Sequence, residues 1–505
     1  MKKPNIVFIM ADHQLFYRHG WDMGPQIIRN NYKKFASEGV EFNRAYSSNP
    51  LCGPTRCSIL SGQYSHKHGE ILNDVNAPKL NRSYLQILKD DGYKNYYFGK
   101  WHAGSGTAYD HGCEGYCYPS YGNPYLTKEY EEYKTDRGLS QPKIMIECTM
   151  DPWRLDMVPG QIYVQDKELT NEEASGIMLN PKESHEAFFL ANLACDKLED
   201  LAKDVSDKPF SLRVDFWGPH DPYFVTQEYA DMYDPSEIPE YPTFNSPLAD
   251  KPSCYKKEHN LGISDENKNL IYPNPIPWET WQLLLARCYA HITMVDDAAG
   301  MILDKLRELG LSENTLVMWT ADHGDALACQ GGKFDKASYM VEEVMRVPLA
   351  MRYPTEVKPF QVTDALVSNL DVPVTLLNAA GLEFDHKPDG KSLLDLERSK
   401  FKERRDYFVS ETYGHLHKNV AKSLVTARYK YTVNKEDISE LYDLVKDPYE
   451  TTNLINNEQH KSLIIELDGK LREWAEENHD TFFDYDSNTI LKKYLEVAQN
   501  ESRDY

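Results

Sequence analysis

The chain has 505 residues, of which 41% are hydrophobic, and it carries a formal net charge of −23 at pH 7. This length exceeds that of a single ordinary core, so we expect two domains. The negative charge argues against nucleic-acid binding, which needs a positive field, and no apolar run is long enough to cross a bilayer, so we expect neither nucleic acid nor membrane as a partner.

The first part of the chain alternates short apolar runs with helical patterns. The apolar run at residues 5–10 predicts a buried strand and is too short for a signal-peptide core, so we expect a cytoplasmic protein. Further strands are predicted at residues 40–42, 96–98 and 316–320, and helices at residues 30–37, 84–89 and 292–309. This alternation is typical of an α/β domain with a mainly parallel central sheet flanked by helices.

Two stretches interrupt the alternation and predict insertions in that core. Residues 116–180 are rich in Tyr, Pro and charge, and residues 222–280 carry many Pro, Tyr and Asn with little periodicity. Long irregular segments of this kind are commonly binding loops or lids.

The pattern changes near residue 396, where short strands, a turn-rich stretch and amphipathic helices near residues 460–477 and 489–498 begin. They predict a smaller α+β domain with an antiparallel sheet. We therefore divide the chain into an α/β domain at 1–395 and a C-terminal domain at 396–505.

The segment SNPLCGPTRCSILSG, residues 48–62, predicts a helix that begins near a cysteine. Pro54 suits the first turn of a helix, and Gly62 stands where a left-handed C-terminal cap is expected. Cys52 then lies where free N–H groups and the helix dipole favour negative charge. An isolated cysteine of this kind is most often a buried structural residue. The role of Cys52 therefore depends on which other residues surround it.

Four apolar runs end in polar residues of similar types. Asp12 and His13 follow the run IVFIM, and Asp322 and His323 follow LVMWT. Lys100 and His102 follow YYF, and His220 follows FSLRVDFW. Ligands of an open parallel sheet bind beyond the carboxyl ends of its strands. Each residue alone has a structural explanation, as a turn former or as a hydrogen-bonding partner. Together they predict one site at one edge of the sheet.

The residue types at this edge suit a metal and an anion. Asp12 and Asp322 offer hard oxygen ligands suited to Ca²⁺ or Mg²⁺. His13 and His323 as ligands would favour Mn²⁺ or Zn²⁺, or they would instead form hydrogen bonds to the metal ligands. A local positive pocket is supplied by Arg56, Lys100, His102, His220 and Lys336. This composition suits an anionic tetrahedral group held against a divalent metal.

These residues resemble the type I sulfatase family of the alkaline phosphatase superfamily. CGPTR at 52–56 resembles its C-x-P-S/T-R signature, GKWH at 99–102 its G-K-x-H element, and TADHG at 320–324 its strand-end metal motif. RVPL at 346–349 and ELYDL at 440–444 are similar to further segments of the family. The resemblance spans nearly the whole chain and is weakest in the two insertions.

The resemblance implies that a separate maturase oxidises Cys52 to formylglycine, whose hydrate is the nucleophile. It also implies one divalent metal ion, with Ca²⁺ favoured and Mg²⁺, Mn²⁺ and Zn²⁺ as alternatives, held by Asp12, His13, Cys52, Asp322 and His323. The family usually carries Asp or Gln in the place of His13, so the ligand role of this residue and the identity of the metal stay open.

The same resemblance implies a role for each basic residue. Arg56 would brace Cys52, and Lys100 and Lys336 would neutralise the sulfate oxygens, with Lys333 as a possible substitute for Lys336. His102 would be the base for sulfate elimination, and His220 would protonate the leaving alkoxide.

The function implied is that of an arylsulfatase-like sulfuric ester hydrolase. Its substrate would be an O-sulfate ester of a small molecule or an oligosaccharide. A phosphonate monoester or phosphodiester hydrolase on the same scaffold is the first alternative, and a binding protein on a sulfatase fold, with Cys52 unmodified, is the second.

Overall fold

The computed structural model describes residues 3–16, 24–149, 157–165, 174–206, 208–257, 276–415 and 418–484. The strands are β1 (Asn5–Ala11), β2 (Val40–Tyr46), β3 (Lys94–Lys100), β4 (Cys113–Tyr118), β5 (Lys143–Thr149), β6 (Ile162–Val164), β7 (Ala174–Met178), β8 (Phe210–Asp215), β9 (Tyr223–Thr226), β10 (Thr315–Ala321), β11 (Arg346–Val347), β12 (Leu349–Arg352), β13 (Gln361–Ser368), β14 (Tyr407–Thr412), β15 (Ala421–Thr426), β16 (Tyr429–Asn434) and β17 (Glu440–Asp443).

The α-helices are α1 (Asn30–Ser37), α2 (Cys52–Ser61), α3 (Ser65–His68), α4 (Tyr84–Asp90), α5 (Lys128–Arg137), α6 (Glu186–Lys203), α7 (Gln227–Ala230), α8 (Ser253–Lys257), α9 (Trp278–Glu308), α10 (Cys329–Gly332), α11 (Glu342–Met345), α12 (Asp371–Ala379), α13 (Leu393–Arg398) and α14 (Lys461–Glu477). The helix predicted near 489–498 lies outside the described residues.

A nine-stranded, mainly parallel sheet forms the centre of the molecule. Its order is β11-β2-β12-β10-β1-β8-β3-β4, and β13 also pairs with β2. The middle strand β1 is parallel to both β10 and β8. Its residues from Ile6 to Ala11 are all buried, as expected of a strand covered on both faces. The predicted α/β class is confirmed.

The register of this sheet places two strand ends side by side. Ile6 pairs with Leu316, and Ala11 pairs with Ala321, so β1 and β10 end at the same level. The residues that follow them, Asp12 and Asp322, are therefore neighbours at the carboxyl edge.

The helix predicted at residues 292–309 begins much earlier, at Trp278. Its N-terminal half is also buried, with Trp281, Leu284 and Leu285 inaccessible to solvent. Because this half is covered on several sides, the apolar residues do not form the single stripe on which the shorter prediction depended.

The two insertions contribute to a second sheet of order β6-β5-β7-β9. Strand β7 lies parallel to β9, which brings residues 174–178 of the first insertion against residues 223–226 of the second. Ile144, Ile146 and Phe224 form a small buried cluster on this sheet. The first insertion is therefore more regular than its composition indicates.

The C-terminal part forms a separate antiparallel sheet of order β14-β15-β16-β17, which confirms the predicted fold class. Leu467, Leu471 and Trp474 of α14 are buried in the same apolar cluster as residues of this sheet and as Tyr46 and Tyr64 of the N-terminal part. The predicted boundary at residue 395 falls inside α13 (Leu393–Arg398), ahead of β14. The two-domain division stays a prediction.

All nine cysteines are free thiols. None of the helices in the described part of the chain combines the length and apolar character that a bilayer crossing requires.

Candidate active site

Asp322 is held by the backbone at the junction of two strand ends. Its own N–H donates to the Ala11 carbonyl at 3.2 Å. Its Oδ1 accepts from the backbone N–H groups of His13 and His323 at 3.0 and 2.9 Å. The other carboxylate oxygen, Oδ2, is thereby left for side-chain partners.

Cys52 is the first residue of helix α2, as the sequence predicts. The helix ends at Ser61, and Gly62 adopts the left-handed conformation with φ of +67°. The sulfur of Cys52 lies 3.2 Å from His323 Nε2 and 3.7 Å from Asp12 Oδ1. Cys52 is thus buried among the residues at the strand ends, where the positive end of the helix dipole favours negative charge.

Arg56 ties helix α2 to three strand ends. Its Nε and Nη2 lie 3.1 and 3.0 Å from Asp322 Oδ2. Its Nη1 donates to the Lys100 carbonyl at 2.8 Å and to Asp215 Oδ2 at 3.1 Å. Asp215 ends β8 and was not predicted as a site residue, although a carboxylate inside the apolar run FSLRVDFW is the signal that could have found it.

Four side chains form a group that fits a metal ion. Asp12, Cys52, Asp322 and His323 are buried, and their donor atoms all lie within 4.8 Å of one another. Ligands on opposite sides of a Ca²⁺ ion are about 5 Å apart, since each lies 2.3–2.6 Å from the ion. His323 Nδ1 donates to the Gly324 carbonyl at 2.9 Å, so Nε2 is the ring nitrogen that faces the group.

Charge within this group is unevenly compensated. Burial and the Asp12 carboxylate raise the pKa of Asp322 to about 6. Burial opposes ionisation of Asp12 as well, yet Lys100 and Arg56 hold the pKa of Asp12 well below its usual range. Lys100 Nζ donates directly to Asp12 Oδ2. A bound cation would relieve the repulsion that acts on Asp322.

The surroundings of position 52 stabilise an anion. Burial and Asp12 act to raise the pKa of the Cys52 thiol, but Lys100, Lys336 and His323 lower it well below its ordinary value. Lys100 Nζ lies 3.8 Å from the sulfur.

His13 lies beside the four-residue group and not within it. Its backbone is left-handed, with φ of 64°. Its Nε2 lies 3.4 Å from Asp325 Oδ2 and 3.4 Å from Asp335 Oδ1. Its role as a metal ligand stays a prediction. Asp325 stands three residues after Asp322, so the run DHGD could have indicated it.

His220 and Lys336 each pair with a neighbouring carboxylate. His220 Nδ1 lies 2.9 Å from Asp221 Oδ1, and Lys336 Nζ lies 2.7 Å from Asp335 Oδ1. Burial acts to lower the pKa of His220, but the Asp221 charge raises it overall. The ring centroids of His13 and His220 are 4.6 Å apart, so His220 belongs to the same edge of the sheet.

His102 lies at the periphery of the site. Its Nε2 is 3.6 Å from Asp74 Oδ2, and its ring centroid is 6.1 Å from that of Tyr121. The Lys100 ammonium lies 4.2 Å from the centre of the Tyr121 ring. Tyr121 belongs to the first insertion, where no motif points to it. The structure therefore gathers the predicted residues at one edge and adds Asp215, Asp325, Asp335 and Tyr121.

Comparisons with known proteins point to one family over the whole chain. The family model described as Sulfatase matches residues 4–382, and that described as N-sulphoglucosamine sulphohydrolase, C-terminal, matches residues 330–498. The chain is 27% identical over 498 residues to an ulvan-active sulfatase of Formosa agariphila, covering 97% of this chain and 84% of that protein.

Two solved structures share the fold. One is a complex with the substrate D-glucosamine-2-N,6-O-disulfate, with a TM-score of 0.70 and 21% identity, covering 96% of this chain and 100% of that one. The other is a phosphonate monoester hydrolase of Agrobacterium radiobacter, with a TM-score of 0.72 and 18% identity, covering 94% and 96%. Because the Sulfatase model spans most of the chain, this protein belongs to the sulfatase family, a family of sulfuric ester hydrolases with the alkaline phosphatase-like fold.

Proposed function

We propose that this enzyme hydrolyses an O-sulfate ester of a carbohydrate or small metabolite, after a separate maturase has converted Cys52 to formylglycine. The observation that carries the proposal is the position of Cys52 at the start of α2, with its sulfur 3.2 Å from His323 and 3.8 Å from Lys100. A structural cysteine has no need of a buried cation and a metal-binding group around its sulfur.

The residues around position 52 fit one divalent cation, and the two carboxylates favour Ca²⁺ among the alternatives. Asp12, Asp322, His323 and residue 52 would hold it. Bound there, it would polarise the ester oxygens and lower the pKa of the hydrated aldehyde. The hydrate offers one hydroxyl for attack on sulfur and a second whose deprotonation expels sulfate.

The lysines provide charge for the sulfate group. Lys100 and Lys336 already lower the pKa of the thiol at position 52, so their field favours negative charge at that point. The non-bridging oxygens of a sulfate ester already carry its negative charge, and the leaving oxygen gains negative charge as its bond to sulfur breaks. Fixed cations that face this charge stabilise the transition state without reorganisation.

Two histidines are placed for proton transfer. His220 Nδ1 contacts the Asp221 carbonyl at 2.8 Å, and the Asp221 carboxylate raises the His220 pKa, which favours the protonated ring. We assign to it the protonation of the leaving alkoxide. The His102 ring nitrogens make no hydrogen bond within 3.5 Å to a described residue, and Nε2 has a charged neighbour, Asp74 Oδ2 at 3.6 Å. Nδ1 is therefore open to a substrate or to the hydrate. We assign to it the base for sulfate elimination.

A mass spectrum of the tryptic peptide Ala45–Arg56, from protein isolated from its host, tests the proposal directly. We expect an aldehyde or its hydrate in place of the Cys52 thiol, and turnover of 4-methylumbelliferyl sulfate that Cys52→Ala abolishes. Cys57→Ala is the matched control, because Cys57 is also buried in α2. An intact thiol at Cys52 in an active preparation would refute the mechanism, and unchanged function of Cys52→Ala in the host would favour the binding-protein alternative.

A phosphonate monoester hydrolase is the second candidate, because its fold matches this chain with a TM-score of 0.72. The two activities are separated by comparing 4-nitrophenyl sulfate with 4-nitrophenyl phenylphosphonate, which share a leaving group. A higher kcat/KM for the sulfate supports our proposal. A strong preference for the phosphonate would replace it.

A further inference from the structure

A cavity of about 50 Å³ lies next to His220, on the side of the first insertion. It is bordered by His220 and Asp221 at the active site, and its apolar walls include Tyr125, Trp217 and Phe224. A volume of this size accommodates about three or four water molecules, or a substituent of similar size. It is too small for a whole sugar ring.

Two polar side chains of this cavity carry atoms without hydrogen-bond partners. Glu186 and His291 are each 3% exposed. Within the described part of the chain, Glu186 Oε2 and both ring nitrogens of His291 have no hydrogen-bond partner. Buried polar atoms are nearly always paired in folded proteins, so these atoms are available for a ligand.

The backbone holds Glu186 in place. Its Oε1 accepts from the Gly218 N–H at 3.0 Å, and its own N–H donates to the Tyr125 hydroxyl at 3.0 Å. Gly218 allows His291 to approach closely, because a Cβ at this position would lie 2.5 Å from His291 Nε2. Both polar groups are thus positioned by the segment that also carries His220.

A metal ion is a poor occupant, although His185, Glu186 and His291 have donor atoms within 4.8 Å of one another. His185 Nδ1 accepts from the Ala187 N–H at 3.2 Å, and a backbone hydrogen bond with Phe224 engages the same ring. His185 therefore has no lone pair to offer, and two ligands are too few for a stable site.

A neutral polar group is the occupant that fits. Burial raises the pKa of Glu186 to about 8 and lowers that of His291 well below its usual value, so both are uncharged near neutrality. An uncharged carboxyl and an uncharged imidazole can each exchange hydrogen bonds with a hydroxyl group.

We propose that this cavity receives a hydroxyl-bearing substituent of the alcohol that the reaction releases, such as one on a sugar ring, and that Glu186 and His291 bind it. The inference rests on the proposed function, because it places the leaving group beside His220, the group that would protonate it. Glu186 and His291 are then determinants of substrate specificity.

The test compares kcat/KM for glucosamine 6-sulfate, N-acetylglucosamine 6-sulfate, choline sulfate and 4-methylumbelliferyl sulfate. We expect at least one sugar sulfate to exceed the aryl sulfate by about 10-fold or more in the wild type. His291→Leu removes the polar ring without breaking a hydrogen bond to a described residue. His291→Leu should remove the advantage of the sugar sulfate, mainly through KM, and should leave aryl sulfate turnover unchanged. The control variant His479→Leu, at an exposed position, should leave turnover of both substrate types unchanged.

A second measurement needs no variant. The unsulfated sugar should inhibit hydrolysis of the aryl sulfate competitively in the wild-type enzyme. Three outcomes would each overturn the inference and leave the sulfatase proposal standing. The first is an equal loss of activity on sugar and aryl sulfates in His291→Leu, the second is a wild-type enzyme with neither sugar preference nor inhibition, and the third is a preference for choline sulfate. Absence of turnover with every sulfate ester would overturn both.

Discussion

The candidate active site differs from a second buried charged group, here called the junction cluster, in whether its polar atoms have partners within the chain. The junction cluster consists of His66, Glu411, Lys422 and Asp480. The His66 ring nitrogens lie 2.9 Å from Glu411 Oε2 and 3.2 Å from the Asn478 carbonyl. In the catalytic centre, the ring nitrogens of His13 and His102 have no hydrogen-bond partner among the described residues. The histidine at the junction finds its partners within the chain, whereas the rings of His13 and His102 make no hydrogen bond to the described residues and are open to a ligand.

Carboxylates show the same contrast. The ligand atoms of His66, Glu411 and Asp480 all lie within 4.8 Å of one another, as do those of the four residues of the centre. At the junction, however, Lys422 lies 2.5 Å from both Glu411 and Asp480 and supplies the cation itself. At the centre, the pKa of Asp322 stays raised by burial and by Asp12. Geometry alone therefore does not distinguish the two groups, whereas the raised pKa of Asp322 does.

The largest expected effect comes from a metal-ligand substitution. Asp322→Asn should release the metal and lower aryl sulfate turnover by about 1,000-fold, because a metal at such a site contributes several kcal/mol to the transition state. Asp480→Asn is the matched control at the junction. Metal content by mass spectrometry, measured beside kcat, checks both variants. Stoichiometric metal in Asp322→Asn, or its loss in Asp480→Asn, would erase the distinction between the two groups.

Lys100→Met tests the charge at the centre. We expect kcat/KM for the aryl sulfate to fall by about 100- to 1,000-fold, since a fixed cation that faces the sulfate is removed. The melting temperature should change little, because Asp12 keeps Arg56 nearby, with 3.7 Å between Asp12 Oδ2 and Arg56 Nη2. Steady-state kinetics and calorimetry on the same preparation measure the two effects. A large drop in melting temperature with kcat/KM preserved would reverse our assignment.

Lys422→Met makes the opposite prediction. It leaves Glu411 and Asp480 buried without their cation, which costs about 3–5 kcal/mol of folding free energy. Urea unfolding should show the loss, and the kcat of the folded fraction should equal that of the wild type. A variant as stable as the wild type would mean that the junction cluster does not stabilise the fold.

The smallest effect is a pH dependence of stability at the junction. Burial opposes ionisation, but Lys422 and His66 hold the pKa of Glu411 well below its usual range. A carboxylate with a depressed pKa in the folded state stabilises the protein above its unfolded pKa of about 4.3, and this contribution is lost as the pH falls through the folded pKa. The difference in melting temperature between the wild type and Glu411→Gln should therefore shrink below about pH 4.3. Exposed Glu183→Gln should show no such trend, and a difference that is constant with pH would contradict the assignment.

Much of the site could be predicted because its residues are marked locally. Asp12 and Asp322 follow continuous apolar runs, and the helix at Cys52 is bounded by Pro54 and Gly62, so strand ends and helix caps are readable in the sequence. The resemblance to sulfatases added the roles of the lysines and histidines.

Other contributions could not be predicted because they depend on distant contacts. The carboxylate of Asp215 stands out inside its apolar run, but its role was missed because its partner Arg56 is far away in the chain. Tyr121 was missed because the insertion carries no motif. His13 was predicted among the ligands, and that role stays a prediction. What the sequence did not indicate is that its left-handed backbone places its ring toward Asp325 and Asp335. Side-chain direction at a strand end depends on the turn that follows, which periodicity does not report.

The sequence by itself determined the α/β class, the strand ends that carry Asp12, Lys100 and Asp322, and the cysteine at the start of α2. Apolar periodicity and turn chemistry act over a few residues, and they are enough for this. Only the tertiary structure decided which carboxylates lie beside the Cys52 sulfur, and that Glu186 and His291 border a cavity beside His220. Those outcomes depend on how distant segments pack and on which buried charges find a partner, and neither is written in any local stretch of the chain.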